Sequence, residues 1–365
     1  MNRPNIKNEL VKRKYFRFLK EAEGFSDSTI DIFNKAILRY EEFTKYDDFS
    51  KKFNPDRMIG YKDWLKKRET NGKCISTVTY HANIRNLRKF FKWLCTQTGF
   101  KSKIHTDVIG YLKVTHSEER MATQNKPREF PEYDNVLKLI ESINPVTEID
   151  KRDQALITFA LITGMRDAAI VTLPLKCVDI SSLRIFQDPN KGVKTKFAKY
   201  IETTIFNFDE KFIEIVKEWI DLLVSKGFEK DDPLFPRSKK NKDEINISFN
   251  NSVEVEPVYW LNAGSMRKVF KKRFEAAGLR YFPPHTFRHL TKATAFKACK
   301  NGEEFHAVSQ NFGHENLGTT FGSYGNFPPK KLNEIISNID YSGKTQNIDE
   351  ETRELMKKLN DRLGK

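Results

Sequence analysis

Apolar residues recur every three to four positions along the first hundred residues, a spacing that predicts helices from Lys7 to roughly Phe100. In SDSTIDIFNKAILRYEEFTKY (26–46), Ser26 or Asp27 is placed to cap a helix whose apolar face is Ile30, Phe33, Ile37 and Tyr40. Ser76 opens a second one, STVTYHANIRNLRKFFKWLC, with Ile84, Leu87, Phe91 and Leu94 on one face. Beside that face, His81, Arg85, Arg88 and Lys92 fall at i, i+4, i+7 and i+11. No acid occurs between Ser76 and Phe100, so this second stripe is basic throughout, whereas a merely solvated face usually mixes its charges.

Periodicity fades over 101–130, which predicts a polar linker and a division into a helical domain at 1–105, a linker at 106–126 and a second domain at 127–340. The second domain opens with PEYDNVLKLIESI, an amphipathic helix, and KRDQALITFALITG, which is apolar on most faces and so buried. Two or three short strands follow, SLRIFQD and AKYIETTIF among them, with a Lys-rich turn between those two. DEKFIEIVKEWIDLLVS, NAGSMRKVFKKRFEAAG and HTFRHLTKATAFKACKNG read as further helices, and 237–256 as a polar loop. Residues 341–365 form a tail in which Asp349 caps a helix carrying Leu355, Met356, Leu359 and Leu363. The fold class expected is mainly α, with a small antiparallel sheet in the second domain.

Charge sharpens this division. The chain of 365 residues has a formal net charge of +15. Residues 1–130 hold 28 Lys and Arg against 16 Asp and Glu, a surplus of 12, and the remainder holds 36 against 33, a surplus of 3. So basic a domain is the footprint of a polyanion, most often nucleic acid, set against the plainer reading of a solvated surface. No apolar run reaches the ~20 residues of a membrane span, and the first residues lack the apolar core of a secretory signal, so a cytoplasmic protein is expected. Cys74, Cys95, Cys177 and Cys299 are widely spaced with no C-x-x-C pair, which predicts reduced core residues and no zinc cluster.

Four fragments of the second domain carry chemistry. Arg166 follows a buried helix that stops at Gly164. In PPHTFRHL two prolines precede a helix whose first turn places His285 and Arg288 on one face, next to the free N–H groups of the helix end. FGHENLGTTFGSYG sets Tyr324 ten residues beyond His314. Lys191, Lys194 and Lys196 cluster in the turn between the strands. Each fragment alone has a bland reading: an ion-paired arginine, a surface turn, solvated lysines.

In this order, Arg, Lys, His-x-x-Arg, Gly-His and Tyr resemble the signature of the tyrosine recombinase (phage integrase) family. The resemblance spans the chain, with 7–100 similar to the family's helical, SAM-like core-binding domain and 127–340 to its α/β catalytic domain. It implies that Tyr324 is the nucleophile, that Arg166 and Arg288 bind the phosphate, and that His285 and His314 complete the site. It implies Lys194 for the hairpin lysine, because Ile201-Glu202 restores the family's interval to a hydrophobic-Pro pair; Lys191 stays open. Two positions depart from the pattern: Ala169 stands where an acid is common, leaving that contact absent or supplied by Asp167, and Glu202 stands where proline is usual.

The residue types suit phosphodiester cleavage without metal or cofactor. A phenol oxygen leaves a resealable covalent link, and with an ordinary pKa near 10 it needs a base or a strong positive field. Two guanidiniums fork onto the non-bridging oxygens where charge accumulates. The expected function is site-specific recombination of a mobile element's DNA, and the resemblance implies a homotetramer on two duplexes. The alternatives are a type IB topoisomerase-like enzyme and an inactive sequence-specific DNA-binding protein.

Overall fold

The structure, a computed structural model, describes residues 5–70, 72–123, 129–239, 253–313 and 329–339. The chain divides into two compact units, one ending at Lys126 and the other starting at Pro127.

The first unit holds α1 (Ile6–Glu21), α2 (Asp27–Thr44), α3 (Pro55–Lys67), the two-residue strands β1 (Glu69–Thr70) and β2 (Lys73–Cys74), α4 (Thr77–Leu94), α5 (Thr106–Gly110) and α6 (His116–Thr123). Ser26 and Ser76 cap α2 and α4 by accepting the N–H groups of Thr29 and Thr79. Ile84, Leu87, Phe91 and Leu94 of α4 are buried, as the apolar spacing requires. Rings dominate this core: Tyr15 meets Phe90 at a centroid distance of 5.1 Å, and Tyr40 meets Phe91 edge-on at 5.1 Å. Beneath α1, the buried Glu41 carboxylate accepts from Lys12 Nζ at 2.8 Å and Asn8 Nδ2 at 3.1 Å, so the charge is partnered on both sides.

The expected linker at 106–126 is corrected here. Residues 106–110 and 116–123 are helical, and Ile104, Val108, Ile109 and Leu112 are buried in the first core. Helices this short repeat their apolar face too few times to leave a periodic signal. Cys74 is also exposed and Cys95 only half-buried, so of the four cysteines Cys177 and Cys299 alone lie in the core.

The second unit is built around α8 (Glu148–Thr163), in which every residue from Ala155 to Thr163 is buried. It follows α7 (Tyr133–Glu141) and opens with a reciprocal cap between Thr147 and Asp150. Next come α9 (Asp167–Ile170) and the antiparallel strands β3 (Val178–Asp179), β4 (Arg184–Gln187) and β5 (Ile201–Thr204), in the order β3-β4-β5 with Ile185 opposite Thr203. Helices α10 (Glu210–Ser225), α11 (Gly264–Ala276) and α12 (Pro284–Ala298) pack on α8. Two helices outside the sequence expectations follow, α13 (Gly302–Asn311) and α14 (Pro329–Ser337); Phe305 and Val308 of the first and Leu332 and Ile336 of the second form a second small core with Phe206 and Phe312. Much of the expected polar loop and the whole tail at 341–365 lie outside the described residues. Among the described residues no helix is long and apolar enough to cross a membrane.

Candidate active site

The end of α8 sets the site. Gly164 terminates that helix at φ 55, and the chain turns through Met165 so that Arg166 becomes the N-cap of α9. Gly164 is required in two ways. Its left-handed conformation disfavours a side chain, and an added Cβ would lie 2.5 Å from Cε1 of Phe312 and 3.2 Å from Cβ of Thr291. α12 is fixed to the same corner, because the buried Thr291 hydroxyl lies 2.7 Å from the Leu161 carbonyl.

On α12, Arg288 donates Nη1 to the Gly164 carbonyl at 2.7 Å and Nη2 to the Phe312 carbonyl, and its guanidinium carbon stands 4.9 Å from the Phe312 ring centre. Burial first, and the nearby Arg166 charge second, pull its pKa well below that of an ordinary arginine. Among the described residues neither Arg166 nor Arg288 has a carboxylate partner. Arg166 is half-buried, and His285 in the first turn of α12 is exposed. Two neighbouring guanidiniums with no carboxylate partner among the described residues can hold an anion between them.

Lys194 joins this corner through its backbone. Its N–H donates to Thr172 Oγ1 at 2.8 Å, two residues beyond α9, and the same hydroxyl donates to the Ala168 carbonyl at 2.8 Å. The Lys191 N–H donates instead to the Asp188 carbonyl at 3.0 Å, within a short 3-10 turn capped by Asp188, and both lysine side chains are exposed. Asp167 does not supply the contact left open by Ala169. One of its oxygens accepts from the Ala168 N–H at 2.9 Å and the other from Arg267 at 2.9 Å. Glu202, in place of proline, pairs with Arg184 on the neighbouring strand.

The structure thus brings Arg166, Arg288 and the Lys194 backbone to one corner, with His285 one helical turn from Arg288. His314 and Tyr324 lie outside the described residues; Asn311, just before them, is bonded on both sides to the Thr204 backbone, at 2.6 and 2.8 Å. Lys292, one turn beyond Arg288, was missed by the sequence reading. Burial and the Arg288 charge lower its pKa to about 8, and its Nζ stands 5.5 Å from the Phe296 ring centre. Its i+4 spacing from Arg288 was the available signal.

The sequence pattern of the Phage integrase family matches residues 130–328, more than half of the chain. The chain belongs to the phage integrase family. It is 22% identical over 316 residues to tyrosine recombinase XerD of Oceanobacillus iheyensis, covering 86% of this chain and 92% of that protein. Over 319 residues it is 21% identical to tyrosine recombinase XerC of Lactobacillus delbrueckii subsp. bulgaricus, covering 85% and 92%. Among solved structures, a lambda integrase dimer bound to a core site matches with a TM-score of 0.57 at 12% identity, covering 94% of this chain and 98% of that one. The Tn1549 transposon integrase in complex with transposon right-end DNA matches at 0.52 and 14% identity, covering 90% and 99%. The fold is therefore that of the integrases, mainly helical with a small antiparallel sheet. This integrase-family chain is a tyrosine recombinase, an enzyme of site-specific DNA strand transfer.

His81, Arg85, Arg88 and Lys92 lie on α4 of the first unit, where Arg85 and Lys92 are exposed and His81 and Arg88 half-buried. Nε of Arg88 is buried without a hydrogen-bond partner among the described residues, so this arginine is partly committed to packing. Exposure along the stripe is thus uneven.

Proposed function

We propose that the protein cleaves and rejoins duplex DNA through a 3′-phosphotyrosine on Tyr324, as the recombinase of a mobile element. The observation that carries the reading is the pair Arg166 and Arg288, two adjoining guanidiniums with no carboxylate partner among the described residues, at a corner to which the Lys194 backbone is bonded. A phosphodiester bound there has its non-bridging oxygens between two forked donors. The Tyr324 oxygen attacks phosphorus and the bond to the 5′-oxygen breaks. His285 takes the phenol proton, Lys194 delivers a proton to the leaving oxygen, and His314 donates to the phosphate. Rejoining runs the same steps backwards with a new 5′-hydroxyl, so bond energy is conserved and no cofactor is called for.

His81, Arg85, Arg88 and Lys92 are assigned to phosphate contacts from the first unit. A lambda integrase tetramer bound to a Holliday junction shares the fold, with a TM-score of 0.57 at 11% identity, and on that likeness the working assembly is a homotetramer on two duplexes. The likeness to the Tn1549 transposon integrase supports the mobile-element setting.

The test is a nicked suicide substrate drawn from DNA flanking the protein's own gene. Wild type should form a covalent 3′ adduct in EDTA as readily as in magnesium, and Tyr324→Phe should abolish it while binding persists. An adduct surviving in that variant identifies another nucleophile and overturns the reading. The position of the cleaved sites, at an element's ends or at a fixed chromosomal site, decides the setting.

A further inference from the structure

We propose that Phe197 is a wedge that inserts between base pairs of the DNA beside the bound phosphate and unstacks them; the proposal rests on the strand-transfer reading above. Phe197 lies in the connection between β4 and β5 and is 89% exposed. It sits at φ 62 and ψ 24, and Ala198 follows at φ 50. A bulky residue in the left-handed region is uncommon, since Gly or Asn takes that conformation at little cost, and backbone strain of this kind gathers at functional sites. Here the strain holds out a ring that packs on no other ring among the described residues.

The root of the loop is firm although its tip is open. Val193 is 2% exposed, its N–H donates to the Asp188 carbonyl at 3.2 Å, and the next residue, Lys194, is bonded to Thr172. The ring is therefore carried three residues beyond a fixed point that adjoins the segment of Arg166. A tip anchored this way can transmit force to what it touches.

The surroundings of Phe197 select the occupant. Lys191, Lys194, Lys196 and Lys199 surround it in sequence, and no acid occurs from Pro189 to Ile201. Nζ of Lys196 lies 4.8 Å from the centre of the Phe197 ring. Four cations are poor company for an apolar protein surface, which would have to strip their water. They suit a polyanion, and an exposed ring among them suits the one polyanion built of stacked aromatic faces. Apolar side chains inserted into DNA do this by separating a base step and kinking the duplex. A kink beside the cleaved phosphate would open that phosphate to the nucleophile.

The experiment uses the full chain and its mapped cleavage site, with thymines placed on both sides of the cleaved step. Permanganate, which oxidises unstacked thymines, probes the bound duplex, and suicide-substrate adducts are scored in parallel. Wild type and Phe197→Trp should show a thymine beside the step several-fold more reactive than in free DNA. Phe197→Ala should bind DNA with little loss and return that thymine to the free-duplex level, and Lys196→Ala should keep it reactive. Equal reactivity in wild type and Phe197→Ala, with adducts formed by both, overturns the wedge and leaves the recombinase reading standing. Absence of any adduct from wild type overturns that parent reading and the wedge with it.

Discussion

Arg288 donates to the carbonyl of Gly164 across 2.7 Å, so an arginine on α12 is held by the residue that caps the end of α8, two positions before Arg166. The two arginines are thereby positioned by one backbone corner, with the Phe312 ring as its third side. Glycine at 164 lets the ring close on that corner.

Gly164→Ala should therefore damage both fold and chemistry. Its Cβ meets Phe312 at 2.5 Å in a backbone conformation that already disfavours a side chain, so Phe312 must move and Arg288 with it. Strain of this type costs about 1–3 kcal/mol, read as a lower denaturant midpoint. Adduct formation should fall further than the lost stability explains when assayed well below that midpoint. A variant with wild-type midpoint and wild-type cleavage would show that the corner tolerates a methyl group.

Much of this corner could be read from one dimension, because its parts are local. Gly164 before Arg166, and His285 three residues before Arg288, are spacings that announce a helix end and a shared face. The Arg288 contact with Phe312 spans 24 positions, and no periodicity reports a meeting of that range. Phe197 was equally hidden, since nothing in its residue type signals a left-handed backbone. The basic stripe on α4 was legible as a pattern, but the burial of Arg88 Nε depends on neighbours that the pattern does not name.

Lys292 predicts a pH dependence. Burial, then the Arg288 charge, lowers its pKa to about 8, against about 10.4 for an ordinary lysine. Between those values the unfolded chain holds the extra proton, so stability rises with pH through this window and the cost of the buried charge is complete below its lower end. Lys292→Met should raise the urea midpoint at pH 7 and flatten its rise from about pH 8 to about 10.4. A bound phosphate favours the charged form, so wild type should take up protons on binding DNA above pH 8, seen as buffer-dependent binding heats, and the variant fewer. Parallel stability curves for the two proteins would place Lys292 in solvent instead.

The lysine assignment is decided by chemistry at the leaving atom. The Lys194 backbone is bonded to Thr172 next to the segment of Arg166, whereas Lys191 ends a separate turn. Lys194→Ala should cut adduct formation on ordinary DNA and recover on a bridging phosphorothiolate, whose sulfur leaves without a proton. Recovery of Lys191→Ala in place of Lys194→Ala reverses the assignment.

The N-terminal charge makes a claim about where phosphate contact comes from. Residues 1–130 hold a surplus of 12 cationic groups, and Arg85 and Lys92 are exposed on the α4 stripe. If that face binds phosphates, each contact removed should lower the slope of log K against log salt by roughly 0.9. Arg85→Ala combined with Lys92→Ala in the full chain should thus reduce the slope by about 2 and weaken binding to all sequences alike. Both side chains are exposed, so the pair should leave the thermal midpoint unchanged, which separates lost contact from lost fold. Arg88 is a poorer choice because its Nε is buried. A fragment spanning 127–365 should move in the same direction and further, as it loses the whole surplus. If affinity and slope survive both changes, the charge of the first unit is a solvated surface, and the phosphate contacts belong to the second unit alone.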